Sequence, residues 1–196
     1  MTLPRSMALV AGLVCAEFSA VPGAVAQHSN AAFDTLNVAV RIVVNINRNT
    51  FHRYWDPDPG VELSFETPFY FGRIEAGLHY ANFNAQRAEQ PDFRSFFPYL
   101  GWGLDCRVVR RLSWYNGVRV GNFLMSFDVA GDNQTEQELG VALNSRLAYS
   151  MLDGWSFDVS VRYRVVFTHE RMRHVYIAAG LSRSLTTPRW LKEFLD

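Results

Sequence analysis

The sequence has almost no lysine, although cationic residues are common in it. Lysine and arginine together number 19, and Lys192 is the only lysine among them. Aspartate and glutamate also number 19, so the formal net charge is zero. A neutral chain lacks the basic footprint of nucleic-acid-binding proteins, and we expect no nucleic-acid partner. Arginine suits partly buried ion pairs better than lysine does.

Cysteine is also scarce, and long apolar runs are absent after the first residues. Residues 1–26 predict a secretory signal peptide, with Arg5 in the basic region, Met7–Cys15 as the apolar region and Ala24–Ala26 as an A-x-A cleavage site. Its removal leaves Cys106 alone, which excludes an internal disulfide. No later run reaches roughly 18 apolar residues, so no membrane-spanning helix is predicted.

What the chain does contain is strict alternation, seen best in Gly154–Phe167. Its odd positions are apolar and its even positions are mostly polar or charged, which is the period of a strand with two different faces. The same pattern predicts eight strands: Leu36–Arg48, Val61–Thr67, Arg73–Phe83, Phe96–Val108, Ser113–Phe127, Glu138–Tyr149, Gly154–Phe167 and His174–Leu185. The predicted division is a signal peptide (1–26), a periplasmic lead-in (27–35), an eight-stranded antiparallel up-and-down β-barrel (36–185) and a C-terminal amphipathic helix (186–196).

Small residues and charges decide which face of the barrel looks outward. Ten glycines and alanines lie on the polar face, where a narrow barrel needs them for space: Gly77, Ala81, Gly101, Gly103, Gly117, Gly121, Gly140, Ala142, Ala178 and Gly180. Nearly all strand charges share that face: Arg41, Glu62, Glu66, Arg73, Glu75, Asp105, Arg107, Arg119, Glu138, Arg146, Asp158, Arg162 and Arg164. We therefore predict a transmembrane barrel with apolar side chains in lipid and a lumen plugged by this charge network. The alternative for the lumen is a narrow proton or ion path through Arg119, Glu138, Arg146 and Arg162.

Connection lengths and aromatic residues predict the orientation in the membrane. The first, third, fifth and seventh connections are generally longer, as external loops are, so both termini are predicted to be periplasmic. The expected inner aromatic belt consists of Phe69, Tyr70, Phe71, Trp114, Tyr149 and Trp155. The expected outer belt consists of Tyr80, Phe83, Phe96, Phe127 and Phe167. A bulge near Asn122 is expected to correct the weaker alternation of the fifth strand.

In these strands the chain resembles the small eight-stranded outer-membrane barrels of the OmpA-transmembrane and OmpX type. The resemblance covers Leu36–Leu185 and lies in architecture, so it transfers no functional residues. It implies folding by the barrel-assembly machinery through the last strand. The function expected is a structural or interaction role in the cell outer membrane and not catalysis, with no cofactor and no metal.

A lipid-modifying hydrolase is the alternative function. Lipid A deacylase barrels resemble this overall plan, and the candidate residues here are His79, Ser64 and Glu62. Those enzymes carry histidine and serine close together on one strand that faces the bilayer, and this sequence has no such pair. A lumenal His79 within a polar network is therefore the preferred interpretation.

The predicted external loops hold the remaining candidate sites. His169, Glu170 and His174 lie with arginines near the last loop, and the predicted contacts for lipopolysaccharide phosphates are Arg48, Arg53, Arg171 and Arg173. A solvated hairpin tip is the alternative interpretation. Asp128, Asp132 and Asn133 lack the EF-hand spacing, so we expect a turn and not a calcium site.

The C-terminal segment is expected to begin a short helix at Thr187 and Pro188. Its apolar stripe is expected to lie on lipid or on the barrel mouth. A periplasmic partner at this helix is the other interpretation.

Overall fold

The described part of the chain is a closed barrel of eight long strands. The computed structural model describes residues 32–46, 50–129, 132–169 and 171–188. The strands are β1 (Thr35–Asn45), β2 (Trp55–Pro57), β3 (Gly60–Pro68), β4 (Arg73–Ala85), β5 (Phe93–Val109), β6 (Leu112–Val129), β7 (Asp132–Ser150), β8 (Trp155–Val166) and β9 (Met172–Thr186). The predicted signal peptide lies outside the described residues, as does most of the predicted lead-in.

Every barrel strand pairs antiparallel with its neighbours, and β1 pairs with β9 to close the ring. The closing pair runs from Thr35 opposite Thr186 to Asn45 opposite Tyr176. The short β2 adds to the end of β4 and stands outside the ring. The predicted eight-stranded antiparallel up-and-down barrel is confirmed.

Alternation along each strand separates an apolar exterior from a polar interior. On β8, the side chain of Val161 is 52% exposed while that of the next residue, Arg162, is 1% exposed. On β1, Ile42 is likewise exposed and Arg41 is buried. Successive strand residues point to opposite faces of a sheet, so this period fixes the inward set.

Glycines make room for the large side chains inside. A Cβ on Gly140 would lie 2.6 Å from the Phe97 ring. A Cβ on Gly180 would lie 2.1 Å from the carbonyl oxygen of Val40 and 2.7 Å from the Cα of Arg41. Gly180 therefore permits the close approach of β9 to β1 where the barrel closes.

Two ends of the barrel are distinguished by their connections. We call the end with connections 46–59, 86–92, 130–131 and 167–171 the loop end, and the other, with connections 69–72, 110–111 and 151–154, the turn end. Asp153 and Gly154 in the last turn have φ values of 58° and 76°, the left-handed conformation that suits Asp-Gly in a tight hairpin.

Strands β6 and β7 are longer than predicted. The expected loop at Asp128–Gln137 is instead mostly hairpin, since β6 and β7 pair in unbroken register to Val129 opposite Asp132. The bulge expected near Asn122 is wrong, because β6 pairs with β7 in unbroken register there, with Asn122 opposite Leu139. The irregularity lies in β5 instead, between Arg107 and Val109.

The structure gives no support to the C-terminal helix. Thr186 ends β9, Thr187 and Pro188 have no regular structure, and the rest of the predicted helix lies outside the described residues. Within the described ranges the helical structure is a single 3-10 turn at Thr50–Arg53. No helix there has the length and apolar character needed to cross a membrane.

Candidate functional site

Nine charged side chains fill the middle of the barrel, and we call them the central ion network. All are buried: Arg41, Glu62, Glu66, Glu75, Arg119, Arg146, Asp158, Arg162 and Arg164. They comprise five guanidinium groups and four carboxylates. Each comes from a strand position that alternation assigns to the interior. Alternation therefore assigns them all to the inner face, although they come from six different strands.

Glu62 on β3 is the hub of this network. Its carboxylate accepts hydrogen bonds from Arg41 Nη1 at 3.2 Å and Arg119 Nη1 at 3.0 Å. Arg162 donates to it through both terminal nitrogens, with Nη2 to Oε1 at 2.8 Å. The three arginines lie on β1, β6 and β8, so their guanidinium groups meet at Glu62 across the lumen.

Arg119 and Arg41 each hold a second carboxylate in a two-point contact. Arg119 donates Nε and Nη2 to Glu75 at 2.9 and 2.6 Å, and Arg41 donates Nε and Nη2 to Asp158 at 2.7 and 3.1 Å. The Tyr99 hydroxyl donates to Glu75 at 3.2 Å. Planar paired contacts of this kind fix the orientation of both groups.

Glu66 closes the network on the side nearer the turn end. Both of its oxygens accept from Arg146, with Nη2 to Oε2 at 2.6 Å, and Arg41 Nη2 lies 3.4 Å from Oε1. The guanidinium of Arg146 also lies 4.7 Å from the centre of the Tyr115 ring. All four buried carboxylates thus have arginine partners, as buried charges require.

Arg164 differs from the other arginines of the network. Within the described residues it makes no ion pair, and its Nη2 lies 3.2 Å from Nδ1 of His79. Its guanidinium lies 4.0 Å from the centre of the Phe97 ring and 4.9 Å from that of Tyr176. Aromatic faces therefore take the place of a carboxylate.

Four residues of the predicted lumen network lie outside this centre. Arg73 and Asp105 form a partly exposed pair, with Nε to Oδ2 at 3.1 Å. Arg107 is exposed beyond them, and Glu138 lies half-buried near the loop end. Alternation predicted the face of these residues but not their depth along the barrel.

Aromatic side chains fill the lumen between the central ion network and the loop end. This aromatic cap consists of Phe51, Phe83, Phe93, Phe97 and Phe123, all buried. The rings of Phe83 and Phe93 stack with centres 4.5 Å apart, and Phe51 from the 3-10 turn meets Phe83 edge-on at 5.6 Å.

The prediction of the outer aromatic belt is wrong for two of its residues, Phe83 and Phe127. Phe83 points inward and Phe127 packs partly buried against the cap, so neither belongs to the exterior belt. Phe83 follows the inward Ala81 by two residues, so its parity already required an inward side chain. Phe96 and Phe167 are exposed on the outside, as predicted.

No hydrogen bond joins any two of the hydrolase candidates among the described residues. Ser64 accepts from Arg41 Nη1 at 2.6 Å, while His79 contacts Arg164. Glu62 lies opposite His79 in the β3–β4 register, but its oxygens are held by arginines. All three candidate side chains are buried in the lumen, away from the apolar exterior.

The predicted loop residues separate into exposed and buried ones. Arg53, Arg171 and Arg173 are exposed, and Arg48 lies outside the described residues. His174 is buried, and its Nδ1 lies 3.1 Å from Asn45 Nδ2, so it does not belong to an exposed tip. The contact with lipopolysaccharide stays a prediction.

No metal site is evident in the described parts of the chain. Those residues contain no group of three or more His, Cys, Asp or Glu side chains arranged to hold an ion. Asp128, one of the three candidates for calcium, is an exposed residue of β6.

The closed eight-stranded ring, with an apolar outside and a charged inside, allows comparison with known structures. The chain has the fold of the small outer-membrane barrels. It is similar to Neisserial surface protein A, with 12% identity and a TM-score of 0.59 over 76% of this chain and 95% of that one. It is also similar to the N-terminal barrel domain of Pseudomonas aeruginosa OprF, with 8% identity and a TM-score of 0.53 over 79% and 99% of the two chains.

A third small outer-membrane barrel with this fold is Pseudomonas aeruginosa OprG. It is 11% identical, with a TM-score of 0.51 over 79% of this chain and 97% of that one. At such identity the likeness concerns the fold and not the activity. No protein-family model and no curated protein sequence matches the chain.

Proposed function

We propose that this chain is an outer-membrane barrel with a structural or interaction role, and that its lumen is closed. The exterior supports membrane insertion, because large apolar side chains such as Ile42, Leu100 and Leu143 are 58–71% exposed on the described strands. In water such a surface would be a severe aggregation liability, whereas in a bilayer it faces acyl chains.

The single observation that carries the closed lumen is the coordination of Glu62. Arginines from three other strands converge on its carboxylate, so ion pairs cross the barrel section at this level. An eight-stranded barrel is only wide enough for side chains to fill. The central ion network is therefore a plug, and the aromatic cap is a second closure above it.

Both termini are proposed to lie on the periplasmic side. The first residues of β1 and the last of β9 are at the turn end, together with the short connections. In bacterial barrels of this kind the short turns are periplasmic and the longer loops are external.

Planar-bilayer recording of the purified protein tests the plug. We expect no conductance steps, since the ion-paired side chains that meet at Glu62 occupy the lumen at this level. Sustained open-channel current at neutral pH would contradict the closed lumen and favour the narrow path instead.

Surface labelling tests the membrane placement separately. In a Cys106→Ser background, single cysteines are introduced at Thr168 at the loop end and at Asp153 at the turn end. We expect a membrane-impermeant maleimide to label intact cells at position 168 and not at position 153. Labelling at position 153 alone would reverse the orientation, and recovery of the protein in a detergent-free soluble fraction would exclude insertion.

A further inference from the structure

A cavity of about 980 Å³ opens at the loop end, above the aromatic cap. Its floor is a continuous row of rings. Phe51 stacks on Trp55 at 5.3 Å, Trp55 meets Phe93 edge-on at 5.6 Å, and Phe93 meets Phe127 at 5.2 Å. The volume is at the upper end of the range for small-molecule sites, which are concave and largely apolar with a few polar groups.

One wall of the cavity is acidic. Glu136 and Glu138 lie two residues apart on β7, so both follow the inward parity of the strand, and both line the cavity. Neither forms an ion pair with another described residue, in contrast to the four carboxylates below them. These two acids line the same cavity as the row of rings, a combination that suits an ammonium group.

The residues before β9 form a basic wall. His169 and Arg171 line the cavity and are exposed, and Arg171 makes no ion pair with the described residues. Its guanidinium group is suited to binding a carboxylate through two parallel hydrogen bonds. Acidic, basic and aromatic side chains thus line a single cavity, and together they complement one kind of molecule.

We propose that this cavity binds a short aromatic peptide with free ends. Its ammonium group lies against Glu136 and Glu138, its carboxylate against Arg171, and its aromatic side chain on the row of rings. This inference rests on the closed lumen and the orientation proposed above, which make the cavity a surface receptor site and not the entrance of a path through the barrel.

The probe is the dipeptide phenylalanyl-phenylalanine, compared with its N-acetyl and C-terminal amide derivatives. Binding is measured by calorimetry on the folded protein in detergent micelles. Each derivative removes one charge and keeps both rings, and we expect each to bind about tenfold more weakly, the size of one charge-assisted contact. Equal binding of all three peptides, or no binding of the dipeptide at millimolar concentration, would overturn the proposal.

Variants that remove the charges of the cavity test which end of the peptide each wall binds. The double variant Glu136→Gln with Glu138→Gln is expected to bind the free and the N-acetyl dipeptide equally, while it still prefers the free dipeptide over the amide. Arg171→Gln is expected to lose only the preference for the free dipeptide over its amide. Glu89→Gln, an exposed acid that does not line the cavity, is the matched control and should keep both preferences.

If the glutamate and arginine variants keep the wild-type preferences for the free dipeptide over its two derivatives, the site is refuted, even if the peptide binds. Trp55→Phe, which keeps an aromatic floor, should retain both preferences. Binding is followed here by tryptophan fluorescence, and this variant should lose part of the change in tryptophan fluorescence that the dipeptide causes, because Trp55 lines the cavity. An unaltered fluorescence change in that variant would place the peptide elsewhere.

Discussion

Glu62→Gln is the most informative single substitution in the lumen. Glu62 is the only carboxylate partner of Arg162 within the described chain, whereas Arg41 retains Asp158 and Arg119 retains Glu75. The substitution therefore leaves one guanidinium group, 1% exposed, without a counter-charge. Removal of one partner of a buried ion pair costs about 3–5 kcal/mol, and we expect this loss in the free energy of unfolding.

The assay is reversible urea unfolding of the protein in lipid vesicles, followed by tryptophan fluorescence. The double variant Glu62→Gln with Arg162→Gln removes the uncompensated charge and should recover a large part of the loss. Glu89→Gln on the exposed surface is the control and should change stability by less than about 0.5 kcal/mol. If Glu62→Gln matches the wild type, or the double variant is less stable than the single one, the hub reasoning is wrong.

Three further substitutions, two of them with a control variant, test other parts of the structure by the same unfolding assay. Val161→Arg in the middle of β8 should lower the free energy of unfolding by about 2–4 kcal/mol, because this side chain faces lipid. Leu152→Arg at the turn end should lower it by about 0–1 kcal/mol. Equal losses in the two variants would contradict a lipid-facing exterior. Gly180→Ala should cost about 1–3 kcal/mol, since its Cβ meets backbone, and the outward Ala179→Val should be neutral. Arg164→Met should stay within about 1 kcal/mol of the wild type because no carboxylate loses a partner; a loss like that of Glu62→Gln would show a hidden counter-charge.

Alternation predicted the strands and the inward face because it is a local property of the chain. On that basis Arg41, Glu62 and Arg162 are expected in the interior, and all three lie there. The pairing among them was beyond such reasoning, since Glu62 and Arg162 are 100 residues apart and meet only through the stagger of eight strands. Alternation gives no depth along the barrel axis, so it predicts Arg107 in the lumen, whereas this residue is exposed.

The aromatic cap was missed although the sequence contains the signal for it. On β6 the inward parity passes from Arg119 through Gly121 to Phe123 and Met125, so the interior changes from charged to apolar toward the loop end. The expectation of an exterior belt assigned Phe83 by residue type, whereas strict parity would have placed it inside. The shift attributed to a bulge near Asn122 was the same change of interior chemistry.

The closure of the ring by β1 and β9 also brings β1 into contact with β8 inside the lumen, and this affects how the molecule forms. Arg41 on the first strand contacts Asp158, which lies 117 residues later in the sequence. This contact can therefore form only after most of the strands have been inserted. Until then the arginines and acids need hydration, which an acyl-chain environment does not provide. We therefore expect expulsion of water and joining of the terminal strands to be one concerted, slow event, as contacts between distant segments predict.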